Sequence, residues 1–264
     1  MLQRMSIIGL LMLGTAPAHA LDIRSCVVMP SQVVEIAVEV PGLVKSVNVG
    51  RGDVVKEGDV LLKLTDTALQ AQVALATRRA SDETQITGVD ARIKVLEGQL
   101  ERVKTLYERE LIAMRELDRV EAELIGLYQE RDRVIADRDL AAIELTRINA
   151  LLDQRTVISP VNGIVTSRNA DAGEYADEQG AVMSIATLDP LYVEIFVPQD
   201  MANQVEIGAE IEIRLETQPD LAHTAVVEVV DRVFDAASGT FGVRLSLPNP
   251  GQSLPAGVRC TARL

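Results

Sequence analysis

One glycine-punctuated β pattern is written twice in this chain, and the copies are separated by a long stretch of a different kind. Residues 40–66 read VPGLVKSVNVGRGDVVKEGDVLLKLTD, and residues 159–189 read SPVNGIVTSRNADAGEYADEQGAVMSIATLD. Gly42 and Gly52 lie ten residues apart, as do Gly163 and Gly173. Gly52 to Leu64 is twelve residues, and so is Gly173 to Ile185. Each copy alternates apolar and polar residues in short runs broken by Gly-Arg-Gly-Asp, Glu-Gly-Asp or Asp-Ala-Gly-Glu turns. Strands this short bury no apolar face alone, so the copies are expected to pair as halves of one β domain. All four glycines read as turn residues with positive φ. No Gly-rich loop opens a helix as a phosphate site requires.

The stretch between the copies, from Asp66 to Arg155, holds no proline. Ile86, Val89, Ile93, Leu96, Leu100, Val103 and Tyr107 step by three and four, which is a heptad seam. A second seam starts at Leu117, Val120, Leu124 and Leu127 and continues through Val134, Ala141, Leu145, Ile148 and Leu152. The phase breaks at 109–113, so the chain is expected to fold back there. Facing positions then total a constant: Val103 with Val120, Leu96 with Leu127 and Val89 with Val134 each give 223. The spacing predicts two antiparallel helices of about 40 residues, each about 60 Å long at 1.5 Å per residue. Around Ser81 to Thr84 the first seam slips to Leu69, Val73, Ala76 and Ala80. Arg131 and Arg138 fall opposite Ile93 and Ile86, which predicts looser pairing in the middle and base of the arm than toward the tip.

The N-terminus carries a processing signal: Arg4, the apolar run Ile7 to Leu13, and Ala18-His19-Ala20 as a small-x-small cleavage site. That run is too short to span a bilayer. Cys26 follows Ile23-Arg24-Ser25, which is not a lipoprotein context, so the mature protein is expected to be exported and not lipid-anchored. Removing residues 1–20 takes away one Arg and no acid, so the net charge moves from −13 to −14. A chain that acidic lacks the basic face that nucleic acid or anionic lipid requires. His223 is then the sole histidine, read as an exposed loop residue, and Cys26 and Cys260 are the sole cysteines. That inventory supplies neither a zinc ligand set nor a marked catalytic group, so no enzyme activity, metal or cofactor is expected.

A β half, a long helical hairpin, a second β half and then more strands resembles the periplasmic adaptor, or membrane fusion, proteins of tripartite efflux pumps. Pro190-Leu191-Tyr192-Val193-Glu194-Ile195-Phe196-Val197-Pro198 resembles the strand that enters the family's β-barrel. Val205-Glu206-Ile207-Gly208 and the run from Leu247 to Val258 resemble its later turns. The resemblance implies an α+β fold: a lipoyl-like β domain split by an inserted long antiparallel α-helical hairpin, followed by a small β-barrel domain. The expected divisions are a signal peptide (1–20), an N-terminal strand with the first lipoyl-like half (21–65) and a coiled-coil hairpin (66–155). A second half (156–189) and a barrel (190–264) follow. A lipoyl carrier would present a modifiable lysine at the junction of the halves, where this chain places its helices. The chain stops at Thr261-Ala262-Arg263-Leu264, where many adaptors continue into a membrane-proximal domain, so a minimal or specialised adaptor is expected.

In the efflux branch of the family the hairpin tip carries an Arg, a Leu four residues on and a Ser seven beyond that, which dock on the channel. Arg102 and Leu106 match the first two positions, and Ala113 stands at the third. A Ser there, three residues before Glu116, would make a capping box. The family arrangement returns the N-terminal strand beside the barrel, where Cys26 and Cys260 meet; a bridge and two buried thiols both fit an exported chain. The implied role is a periplasmic bridge between an inner-membrane transporter, of the resistance-nodulation-division type, and an outer-membrane channel, with self-association into a ring. The alternatives are an adaptor of an ABC-type exporter or type I secretion system, and a stand-alone envelope coiled-coil scaffold.

Overall fold

Each half of the repeat is stitched into the other. The computed structural model describes residues 22–264, so the leader expected at 1–20 lies outside the described residues. The chain separates into two compact units, one running up to Val34 and resuming at Ile185–Leu264, the other comprising Glu35–Ser184. Strand β1 (Asp22–Ile36) leads into β2 (Gly42–Val47), β3 (Val54–Val55) and β4 (Val60–Leu64). Helices α1 (Thr67–Ala80), α2 (Thr84–Glu108) and α3 (Met114–Asp153) follow. The chain then returns through β5 (Thr156–Ile158), β6 (Gly163–Arg168), β7 (Tyr175–Ala176) and β8 (Met183–Pro198).

Within the 35–184 unit, equivalent residues are 121 apart in number, as Gly52 and Gly173 are, and they exchange partners. The Gly52 amide donates to the Val165 carbonyl at 2.8 Å, and the Gly173 amide donates to Val44 at 2.9 Å. Val54–Val55 pair with Ile164 and Gly163, while Leu43 and Gly42 pair with Tyr175 and Ala176. Asn48 and Asn169 tie their amides to Leu61 and Val182 at 2.8 and 2.9 Å. The result is a pseudo-twofold in which neither half completes its own ladder.

Gly52 and Gly173 adopt φ of +94° and +93°, the turn conformation that glycine enters without a Cβ penalty. Gly42 and Gly163 do not. They open β2 and β6 with ordinary strand backbone, which corrects the expectation of positive φ at all four. A Cβ at Gly42 would lie 2.8 Å from Arg155 Nη1, which donates to the Pro41 carbonyl, so a larger residue there would displace the guanidinium.

The helices lie between β4 and β5, whose Lys63 and Thr156 are paired. The first half of the arm is not one helix of about 40 residues but two, interrupted at Ser81–Glu83. Asp82 is the cause. Its carboxylate accepts the Thr84 amide at 3.0 Å, so it competes with the helical hydrogen bonds and starts α2 afresh. Val89, Ile93, Leu96 and Leu100 of α2 form one buried cluster with Val120, Leu124 and Leu127 of α3. Cross-pairs flank it: Tyr128 with Glu97 at 2.6 Å, Arg92 with Glu130 at 2.9 Å, and Arg131 with Asp90 at 2.6 Å. These pairs are antiparallel. Nearer the base only Ala76 of α1 and Ile148 of α3 are buried, while Leu75, Leu140 and Ile143 are exposed.

In the other unit β9 (Glu210–Leu215), β10 (Gln218–Val230), β11 (Thr240–Leu247) and β12 (Val258–Arg263) follow β8. The strand order β1-β12-β9-β10-β11-β8 closes on itself, because β1 also pairs with β8. Leu191, Val193, Ile195 and Val197 alternate inward along β8 and meet Val243, Leu245 and Leu247 of β11 and Ile211, Ile213 and Leu215 of β9. Cys26 and Cys260 face each other in the β1–β12 register and are disulfide-bonded, with Cα atoms 4.9 Å apart. Buried Asn249 clamps the loop before β12, donating to the Leu188 and Leu254 carbonyls at 2.9 and 3.1 Å and accepting the Leu254 amide at 2.9 Å. His223 is not in a loop. It sits in β10 opposite Ile213, half-buried, on the inward parity shared with Ala225 and Val227.

Candidate docking tip of the helical arm

The turn between α2 and α3 is built by backbone bonds rather than by side-chain caps. After Glu108 ends α2, the Glu110 amide donates to Tyr107 at 2.8 Å and the Leu111 amide to Leu106 at 3.0 Å. This double closure is a Schellman motif, and Glu110 takes its left-handed position with φ of 57°. Glycine is the usual occupant there, because a Cβ in that conformation costs about 1–2 kcal/mol.

Ala113 is the N-cap of α3, extended at φ −79° and ψ 149°, with no side-chain hydrogen bond to the helix. The Glu116 amide donates to the Ala113 carbonyl at 3.0 Å. The Glu116 carboxylate does not reach back to complete a capping box. Arg119 takes it instead, at 2.7 and 3.2 Å, and that guanidinium holds the Glu116 carboxyl below the usual carboxylate range.

Arg102 and Leu106 are both exposed on α2, four residues apart and so on one helix face. Ala113 is exposed across the turn. Leu106 also anchors the turn through its carbonyl. Two apolar residues that the spacing argument passed over dominate the surface here: Leu111 is 66% exposed and Met114 58%. Their signal was present as apolar residues at the phase break, Leu111 within it and Met114 directly after it, where no seam claims them. Tyr107, counted in the seam from its spacing, is exposed as well. Among the described residues no helix is long and apolar enough to cross a membrane, and no group of three or more His, Cys, Asp or Glu is placed to hold a metal ion.

Comparison with known proteins places these features in a lineage. Residues 32–187, more than half of the chain, match the family model of the CzcB-like barrel-sandwich hybrid domain. Residues 190–264 match that of the CusB-like β-barrel domain. The chain belongs to the periplasmic adaptor, or membrane fusion protein, family. Among the adaptor's relatives is multidrug resistance protein MdtE of Escherichia coli K12, 24% identical over 269 residues and covering 97% of this chain. Cobalt-zinc-cadmium resistance protein CzcB of Cupriavidus metallidurans is 23% identical over 222 residues, covering 83% of this chain. The chain spans 66% of the length of MdtE and 40% of that of CzcB.

The crystal structure of MacA from Actinobacillus actinomycetemcomitans is similar with a TM-score of 0.71 at 19% identity, over 92% of this chain and 78% of that one. The membrane fusion protein Spr0693 of Streptococcus pneumoniae R6 has a TM-score of 0.55 at 16% identity, over 93% of this chain and 97% of that one. At these identities the likeness is one of fold.

Proposed function

We propose that this chain is the adaptor of a tripartite efflux pump, joining an inner-membrane transporter to an outer-membrane channel from the periplasm. The observation that carries this reading is the order of parts. An interlocked β unit has a helical pair inserted between β4 and β5, and the strands of a barrel follow. In this reading the interlocked unit is lipoyl-like, the helices form one long hairpin inserted into it, and neither part performs chemistry. The barrel family's name carries the resistance-nodulation-division label, which supports a proton-driven transporter of that class as the partner. Energy then enters through the transporter.

The tip meets the channel through Arg102, Leu106 and Ala113, with Leu111 and Met114 adding apolar area. The barrel loops around 198–208, where Ile207 is exposed, and 231–241, where Val233 is exposed, meet the transporter. Copies of the chain associate head-to-tail, and such heterologous contacts close into a ring.

The test is in-cell cross-linking from a cysteine placed at Ala113 in a Cys26→Ser, Cys260→Ser background, after checking that this background folds. An outer-membrane channel in the adduct is the expected product. Adducts with this chain alone would point to a self-associating scaffold and overturn the bridge.

A further inference from the structure

The chain has two cysteines, and the barrel brings both to one point. Cys26 lies on β1 and Cys260 on β12, directly opposite each other in the antiparallel register. Their sequence separation is 234, so most of the chain lies between the two sulfurs. Cys26 is 1% exposed and Cys260 2%, within the buried cluster that also holds Ile23, Val28, Leu215 and Ala262. A barrel closed in this way hides both sulfurs from any enzyme. Enzymatic oxidation therefore has to begin while the barrel is open.

Strand β12 has a second partner. It also pairs with β9, where Cys260 stands opposite Leu215. That ladder seats β12 without help from the bridge, and seating it delivers Cys260 to Cys26. The two Cα atoms are then 4.9 Å apart, inside the range of about 4.4–6.8 Å that a disulfide requires. Until β12 arrives, the edge of β1 that it will cover is bare, and the Cys26 thiol is open to attack and to attacking.

We propose that Cys26 is the site at which an extracytoplasmic dithiol oxidase acts on this chain, and that Cys260 resolves the mixed disulfide as β12 docks. The Cys26 thiolate attacks one sulfur of the oxidase's disulfide, forming an intermolecular S–S bond and releasing the oxidase's other sulfur as a thiolate. The Cys260 thiolate then attacks Cys26 Sγ, forming the native bridge and releasing the oxidase's remaining sulfur. In total the two thiols of the chain lose two electrons and two protons, and the oxidase disulfide becomes a dithiol. The order follows from export in the N-to-C direction, which presents Cys26 long before Cys260 to a compartment where disulfides persist. Two cysteines allow a single pairing, so a disulfide isomerase has nothing to correct. The proposal rests on the export that the adaptor reading requires.

The experiment is an acid-quenched pulse-chase in cells exporting the full chain, with free thiols blocked by N-ethylmaleimide and products resolved on non-reducing gels. Cys260→Ser removes the resolving thiol, so its adduct with the oxidase should accumulate about tenfold over that of Cys26→Ser. The parent chain makes the test independent of how the variants fold. In cells without the dithiol oxidase its reduced form should persist, and in cells without the isomerase its oxidation should be unchanged. Equal adduct in the two variants, or more in Cys26→Ser, overturns the role of Cys26. Oxidation of the parent at its normal rate without the oxidase overturns the partner and makes a small-molecule oxidant the source. Slower oxidation without the isomerase also overturns the scheme, since it would mean a wrong bond that two cysteines in one chain do not form. A leader retained on a chain that stays reduced in every strain removes the export reading and the proposal together. A cleaved leader with oxidase-independent bridging removes the proposal alone.

Discussion

The Gly52 amide and the Val165 carbonyl are bonded at 2.8 Å, and a rotation of the repeat turns that bond into Gly173 to Val44 at 2.9 Å. Both glycines are in the same left-handed conformation, and a Cβ at either would meet nothing within 4 Å. The cost of substitution is therefore conformational and not steric. Gly52→Ala and Gly173→Ala should each lose about 1–2 kcal/mol of stability in urea unfolding. The symmetry makes a sharper demand, that the two losses be equal within about 0.5 kcal/mol.

The tip turn lacks two favourable residues at once. Ala113→Ser should supply the missing N-cap and raise stability by about 1 kcal/mol. Glu110→Gly should relieve the left-handed backbone by a similar amount. Thermal unfolding followed by helical circular dichroism measures both, and a destabilised Glu110→Gly would mean that the carboxylate does something the turn geometry does not account for.

The bridge between Cys26 and Cys260 closes a loop with a sequence separation of 234. The chain-entropy model assigns such a loop about 5 kcal/mol, an upper figure for native bridges. Cys26→Ser with Cys260→Ser should lower the unfolding midpoint of the barrel substantially. Adding reductant to the parent should approach the same midpoint once the buried sulfurs have been exposed by unfolding.

Asp66 gives the fold a defined response to acid. Lys45, 2.8 Å away, holds its carboxyl below the usual aspartate range, and Gln70 adds a second hydrogen bond. A lowered folded pKa means full stabilisation above the ordinary value of about 3.9 and loss as the pH falls through the folded value. Stability should therefore drop more steeply below about pH 4 in the parent than in Lys45→Met. Because the lysine is half-exposed, the difference should stay under about 1 kcal/mol. Unfolding curves collected across that pH range would detect it.

Much of this fold is legible in the sequence because its rules are local and periodic. The glycine spacing announces the repeat, and the seam residues Val89 to Leu100 and Val120 to Leu127 give the antiparallel register. The break at Ser81–Glu83 shows in the sequence as no more than a slip, because hydrophobic period says where a face points and not whether the helix is continuous. The turn in which Asp82 accepts the Thr84 amide accompanies that break. His223 reads from the sequence as a loop residue, whereas its inward parity depends on the pairing of β10 with β9. Leu111 and Met114 at the tip were seen as a gap in a pattern, not as surface.

The pairing of Lys63 with Thr156 has a consequence for how the β unit comes into being. Apart from β2 with β4, the ladders of the first half wait for strands made 93 or more residues later, after three helices have been synthesised. Left as coil, that insertion would be a long loop to close, and non-local strands would form slowly. Helices that fold first and lie antiparallel deliver Leu64 and Thr156 to each other, acting as a clasp that shortens the search. Removing matched turns from α2 and α3 should leave refolding of the β unit nearly as fast as before. Removing the same length from α3 alone should slow it, because the clasp would then close out of register.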